Sequence, residues 1–457
     1  MNLNVDAIKK IAVYALTISA TGLFSSYSVA AIPIQHWTQS GGAKIYLVES
    51  PAIAMLDVQI DFDAGSRRDP AEKAGLASST AGLLASGVAA ENGQPALDEN
   101  ALGEAWADLG AQFGSSAGGD RLSFSLRTLT EPALLMRSVN LAARQIGAPA
   151  FPDTVWQRDR QKMIASLKES YTRPANVAGQ AYAKAVYGQH PYGYEATEAT
   201  LGRISVADMR AFYDTGVVAC RARVSMVGAV TREQADEIAT RLLARLPKVA
   251  CTSLPALPPV AEVAALAQPQ QIEIPFDSAQ AQVLVGQPGY KRNDPEFFPL
   301  LVGNYILGGG GFVSRLSNEV REKRGLTYSV SSSFSPGLHA GAFTVGLQTR
   351  PDQTAQALDV TRKVVRDFVA DGPTDAELKA AKDNLIGGFA LLIDSNRKLL
   401  GNISNIAWND LPLDYLDTWT ARVERVSVAD IRQAFSRKLQ PEKMVTIILG
   451  AAPEKKP

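Results

Sequence analysis

The chain repeats itself at a distance of 222 residues, and a repeat of that length sets the domain count before any element is assigned. Val206-Ala207-Asp208-Met209-Arg210-Ala211-Phe212 returns as Val428-Ala429-Asp430-Ile431-Arg432-Gln433-Ala434-Phe435, and 428 less 206 is 222. The same shift lays Pro152-Asp153 on Thr374-Asp375, each opening a long helical pattern. It also lays Leu84-Ala85-Ser86-Gly87 on Ile306-Leu307-Gly308-Gly309. Landmarks that agree on one register point to two copies of one domain. The chain has 457 residues, which leaves about 200 for each copy, an ordinary domain size.

Both copies carry the same order of patterns. Alternating strands come first, at 44–48 and 55–62 in copy one and at 280–285 in copy two. A helix follows, then a hairpin strand at 121–126 or 342–347. Helical stretches near 131–146 and 153–170 answer those near 352–371 and 375–393, and strands at 223–228 and 444–450 close the copies. Strands in hairpins, mixed with helices, predict an α+β fold over a doubly wound parallel sheet. The expected layout is an N-terminal domain at 33–246, a linker at 247–270 and a C-terminal domain at 271–450. The linker centres on Leu254-Pro255-Ala256-Leu257-Pro258-Pro259, which is proline-rich and without helical period.

Lysine plus arginine and aspartate plus glutamate number 46 each, with no long run of either sign. That argues against a nucleic-acid binder, which usually shows a basic stripe. At the N-terminus, Lys9 and Lys10 precede an apolar run from Ile11 to about Phe24, and Ser28-Val29-Ala30 offers small residues for cleavage. This is the order of a secretory signal over residues 1–30, with a retained anchor as the alternative. Export to a bacterial periplasm is the expectation, with no membrane span after cleavage, since no internal run reaches spanning length. Cys220 and Cys251 could pair in an oxidising compartment, closing a loop worth roughly 3 kcal/mol, or stay as buried thiols.

The most specific stretch is 308–328, Gly-Gly-Gly-Gly-Phe-Val-Ser-Arg-Leu-Ser-Asn-Glu-Val-Arg-Glu-Lys-Arg-Gly-Leu-Thr-Tyr. Together with the duplication, Asp63-Ala64-Gly65-Ser66, Gly75-Leu76-Ala77 and His190-Pro191-Tyr192-Gly193, it resembles the insulinase/pitrilysin-type zinc peptidases over roughly residues 33–450. The resemblance implies two homologous α+β domains, with mixed or antiparallel sheets and helices packed on them, forming half of a peptidase clamshell. It also implies extended peptide added to a sheet edge.

In that family Gly-Leu-Ala is followed by an inverted zinc motif, H-x-x-E-H, whose imidazoles share one helical face beside a glutamate base. Here those positions read Ser78-Ser79-Thr80-Ala81-Gly82, so Ser78 and Gly82 replace the ligands and Ala81 the base. The family's third ligand, a glutamate eight residues before a proline, falls on Ser166, counted from Pro174. The histidines His36, His190 and His339 are dispersed in sequence. No metal is therefore expected in this chain; zinc is expected in a partner.

What survives is Arg321 and Tyr328, matched by resemblance to the residues that reach across the cleft to the peptide. Independently of the name, a fixed guanidinium or phenol near an attacked carbonyl stabilises the developing oxyanion. The same pair on a solvated helix face would be unremarked elsewhere. Arg324 is an alternative cation without the family spacing. Gly309, Gly310 and Gly311 join the expected substrate-binding set. A phosphate loop is excluded because Phe312-Val313-Ser314-Arg315 follow where Lys and a hydroxyl are needed. The resulting expectation is a zinc-less subunit of a heterodimeric metallopeptidase. Its partner would be a homologue bearing H-x-x-E-H and its substrates peptides. A structural or peptide-binding subunit without proteolytic role is the alternative.

Overall fold

The structure, a computed structural model, describes residues 32–450 apart from Asn92 and Lys248, so the leader expected at 1–30 lies outside the described residues. The first half runs β1 (Gln35–Thr38), β2 (Lys44–Glu49), β3 (Met55–Phe62), α1 (Leu76–Leu83), the short pair β4 (Gly87–Val88) and β5 (Leu97–Asp98), α2 (Glu99–Asp108), β6 (Gln112–Ala117) and β7 (Leu122–Leu129). Five helices follow: α3 (Pro132–Gly147), α4 (Asp153–Ser170), α5 (Pro174–Tyr187), α6 (Glu198–Gly202) and α7 (Val206–Gly216). Then come β8 (Arg223–Gly228) and α8 (Arg232–Leu243). The second half runs β9 (Gln270–Ile274), β10 (Ala281–Pro288), α9 (Phe297–Asn304), β11 (Val330–Phe334) and β12 (Ala342–Thr349). It ends with α10 (Thr354–Asp371), α11 (Asp375–Gly388), α12 (Asn396–Trp408), α13 (Tyr415–Arg425), α14 (Val428–Lys438) and β13 (Val445–Leu449).

The duplication is visible in topology. From the outer edge inward, the first sheet reads β6-β7-β3-β8-β2, with β1 added beyond, and the second reads β11-β12-β10-β13-β9. In both, neighbours are antiparallel except the last pair, β2 with β8 and β9 with β13, which are parallel. The 222-residue shift holds at the element starts: Pro132 and Thr354, Asp153 and Asp375, Pro174 and Asn396, Val206 and Val428, Arg223 and Val445. Local chemistry repeats too. Ser205 caps α7 and Ser427 caps α14, each answered by an aspartate three residues on, Asp208 and Asp430.

Strand alternation decides which face meets the core. Leu56, Val58, Ile60 and Phe62 of β3 pack with Phe124, Leu126, Val224 and Met226 under α3, α7 and α8. The opposite face of the same strands carries Asp57, Gln59, Asp61, Ser123 and Arg223. Alternation of this kind reads as a solvated face, yet Asp57 and Asp61 are buried. The cover is α12, which comes from the second half of the chain and packs on β3 and β8. Its Ser404 Oγ donates to Asp61 Oδ2 at 2.7 Å and accepts from Gln59 Nε2 and Arg121 Nη1, each at 2.8 Å. Arg223 Nη1 donates to the Ala407 carbonyl at 2.6 Å.

The exchange is reciprocal. Helix α5, from the first half, packs on β10 and β13 of the second sheet. Its Ala178, Tyr182 and Val186 form a core with Ala342, Val445, Ile447 and Leu449, and Tyr182 Oη donates to the Phe343 carbonyl at 2.6 Å. Each sheet therefore uses a helix from the other half, so neither half is complete by itself.

Cys220 and Cys251 are bonded, with Cα atoms 5.6 Å apart. The bond pins the start of the linker to the first half. Further on, Arg221 donates to the Pro255 carbonyl at 2.6 Å, Arg68 to the Pro258 carbonyl, and Lys291 pairs with Glu262 at 2.5 Å. The proline-rich stretch is a strap laid along the protein. Among the described residues no helix is long and apolar enough to cross a membrane.

Candidate functional site

Helix α1 occupies the place of the zinc helix. Gly75 enters it in the left-handed region, at φ 100°, and Asp69 caps it: Oδ2 accepts from Gly75 N and Oδ1 from Ala77 N, both at 2.9 Å. Burial raises Asp69 to about 6, against the pull of these backbone N–H groups. Ser78 and Gly82 lie one turn apart on the exposed face, while Ala81 is buried. A side chain at Gly82 would meet nothing within 4 Å, so the missing imidazole is a matter of chemistry and not of room. Ser166 is exposed on α4. Zinc needs imidazole, thiolate or carboxylate donors, and a serine hydroxyl, a methyl and a glycine do not fit it. Among the described residues no three of His, Cys, Asp and Glu gather as a metal site.

Two histidines that are far apart in sequence nevertheless meet. His190 and His339 are both buried, with ring centroids 5.0 Å apart and Tyr192 against each. His190 Nδ1 accepts from Tyr192 N at 3.1 Å, and His339 Nδ1 stands 3.2 Å from Glu262. Burial first, then the neighbouring His339, holds His190 below the usual imidazole range. Tyr192 Oη donates to Asp120 at 2.6 Å, and Asp120 in turn accepts from Leu338 N at 3.0 Å. The cluster joins the two halves and the strap, a structural role.

The other end of the site is built from 305–328. After α9 the backbone widens into a π-helical turn at Tyr305–Gly309, and a second one spans Ser317–Glu322. Such turns are rare and often mark functional places. Gly308 lets the segment press on β11: a Cβ there would lie 2.4 Å from Ser332 N. Gly309 and Gly310 would meet Asn304 and Tyr305 in the same way, while Gly311 takes the left-handed region at φ 63° with open space around it. Arg315 then ties the segment down. Its Nε and Nη2 each reach Glu377 at 2.6 Å, and Nη2 also donates to the Gly372 carbonyl at 3.0 Å.

Arg321 and Tyr328 line one cavity of about 350 Å³ with Gln280, Thr327, Gln348 and Arg350. Tyr328 is 84% exposed. Arg321 has only a long ion pair, 3.6 Å to Glu322, and its guanidinium lies 4.4 Å from the centre of the Phe312 ring. Arg324 is engaged otherwise, donating to the Glu319 carbonyl at 2.7 Å and to its carboxylate at 2.8 Å. Arg321 is thus the cation with donors to spare. Phe312, which in the sequence serves only to exclude a phosphate loop, is the aromatic partner of Arg321 nine residues on.

Residues 203–385 match the family description "Peptidase M16 inactive domain". The crystal structure of a peptidase M16 inactive domain from Pseudomonas fluorescens superposes with a TM-score of 0.85 at 32% identity, covering 93% of this chain and 100% of that one. This chain belongs to the M16 peptidase family. It is an insulinase-type member that lacks the zinc motif and so is non-catalytic in its own α1 site. An uncharacterized zinc protease of Bacillus subtilis, YmxG, is 22% identical over 375 residues, 81% of this chain and 88% of its own. The periplasmic protease PqqL of Escherichia coli shares the fold, with a TM-score of 0.76 at 20% identity. That match covers 98% of this M16 chain but 51% of PqqL.

Proposed function

We propose that this M16 chain is the zinc-free half of a two-chain peptidase, holding peptide for a homologous subunit that carries H-x-x-E-H. The observation that carries the reading is the shared cavity of Arg321 and Tyr328, with the guanidinium free of strong partners beside an exposed phenol. A peptide carbonyl entering there would find donors already in place, which is how a site stabilises charge that develops during attack by water. Strand β6 has no strand on its outer side, where an extended peptide could add, a mode that selects conformation more than sequence. PqqL is about twice as long as its match here, which fits a clamshell whose second half this chain would find in a partner. The Cys220–Cys251 bond favours an oxidising compartment, in keeping with a periplasmic address read from residues 1–30.

The test is peptidase activity and bound zinc for the chain alone and mixed with an H-x-x-E-H homologue. We expect no turnover alone and turnover on mixing that Arg321→Ala lowers by about 10²–10³-fold. Stoichiometric zinc and turnover from the chain alone would overturn the reading. A second reading, a peptide-binding or structural subunit without proteolytic role, is favoured by the α1 face, which has lost ligands and base together. Full turnover of the mixture with both Arg321→Ala and Tyr328→Phe in place would select it.

A further inference from the structure

Segments far apart in the chain converge on His190 and His339: the turn after α5, the tip of the β11–β12 hairpin, the strap at Ala261 and Glu262, and the β6–β7 turn with Asp120. The two residues are 7% and 8% exposed, and neither His190 Nε2 nor His339 Nδ1 makes a well-aligned hydrogen bond. Buried polar atoms nearly always have one. The charged groups that face the rings are already matched. Glu262, beside His339, pairs with Lys291 at 2.5 Å. Asp120 pairs with Arg67 at 3.1 Å and also accepts from Tyr192 Oη and Leu338 N. The other neighbours of His190 are the Ala261 carbonyl and the rings of Tyr187 and Tyr192, 6.4 and 4.7 Å away. The two tyrosine hydroxyls accept from Ala342 N and His339 N of the hairpin. One proton can be shared between His339 and Glu262. A second would put two cations on rings whose centres are 5.0 Å apart, with no uncommitted carboxylate beside them.

We propose that the histidine pair is an acid-operated clasp: neutral, it ties the hairpin tip and the strap to the first half, and doubly protonated it lets them go. The inference stands apart from the peptide-holding reading and uses no residue of that site. Titration runs in the required direction, since burial and then His339 hold His190 below the ordinary 6.5. The folded ring therefore binds fewer protons than the unfolded one. Its contribution is complete above about pH 6.5 and is lost as pH falls through the folded value. Release reaches beyond the rings because the hairpin is held by its neighbours. Tyr192 takes its backbone bond from His190 Nδ1, and its hydroxyl lies between Asp120 and His339 N. Separating the imidazoles pulls on all of these together.

The experiment is hydrogen–deuterium exchange of the purified chain at about pH 7.5 and about pH 5, with each rate divided by the intrinsic rate at that pH. Peptides covering 188–194 and 337–342 should lose protection by about tenfold at the lower pH, while β3 and β8 keep theirs. His190→Asn retains an acceptor for Tyr192 N, and His339→Asn retains a donor for Glu262. Each removes the like-charge conflict and should cut the acid response below about threefold, with melting temperatures at pH 7.5 close to the parent's. If one variant does not melt like the parent, the other decides. Protection that does not fall with pH in the parent, or an acid response that survives undiminished in a well-folded variant, would overturn the clasp. Equal loss of protection in β3 and β8 would also overturn it, because the acid response would then be global unfolding.

Discussion

The ion pair between Arg315 and Glu377 should be the main anchor of the segment that carries Arg321 and Tyr328, and its strength can be worked from the structure. Burial alone would raise the Glu377 carboxyl. The two 2.6 Å hydrogen bonds from Arg315 outweigh it, aided by the Thr374 backbone N–H and hydroxyl, and bring Glu377 from 4.5 to about 2. A drop of that size converts to about 3 kcal/mol, and solvent reaching side chains that are 22% and 30% exposed reduces it to about 2 kcal/mol. Because the folded carboxyl titrates below the unfolded one, the folded state binds fewer protons. The contribution is complete above pH 4.5 and is withdrawn as pH falls through about 2. Glu377→Gln should therefore lower the urea midpoint by the equivalent of about 2 kcal/mol at pH 7. The gap between variant and parent should shrink progressively below pH 4.5 and nearly close by pH 2. Comparing the two proteins at each pH cancels the other acid-titrating groups, Asp69 among them. A gap that stays constant from pH 7 to pH 2 would show that the charge is not what holds the segment.

Two further outcomes bear on how the halves are joined. Reducing the Cys220–Cys251 bond, or replacing Cys251 with Ser, should cost roughly 3 kcal/mol in the chain-entropy account, read as a lower melting temperature under reducing conditions; an unchanged melt would mean that the strap's other contacts already fix it. Ser404→Ala removes a hydroxyl that serves Asp61, Gln59 and Arg121 in a buried seam, and should cost about 1–3 kcal/mol. Amide exchange of α12 should rise with it, and protection equal to that of the parent would refute the seam as the tie between α12 and the first sheet.

Periodicity reports which face of an element is apolar, and it is silent on which neighbour will cover it. That is why the two copies and their strands could be read from residues, while the exchange of α5 and α12 could not. Leu-Asp-Val-Gln-Ile-Asp-Phe at 56–62 reads as a sheet with one wet face, yet the wet face is closed by a helix more than 330 residues away in the chain (396 less 62). The two sheets close by different physics. On the second, α5 meets an apolar surface through Ala178, Tyr182 and Val186. On the first, α12 meets carboxylates and guanidinium groups through the Ser404 hydroxyl and the backbone carbonyls of Ser404, Ala407 and Trp408. Arg121 and Arg223 also lie 5.7 and 5.2 Å from the Trp408 ring. A polar seam has little hydrophobic gain to hold it and depends on every partner being in place, since an unpaired Asp61 would be left buried. Apolar burial by α5 tolerates small shifts far better. If the halves move relative to each other when peptide enters, the first sheet is where they would part, because parting there returns charged groups to water while the apolar α5 contact stays closed. The histidine pair escaped the sequence for the same reason as the seam: His190 and His339 are 149 positions apart (339 less 190) and meet where Asp120, Tyr187 and Tyr192 bond the turn of one half to the hairpin of the other.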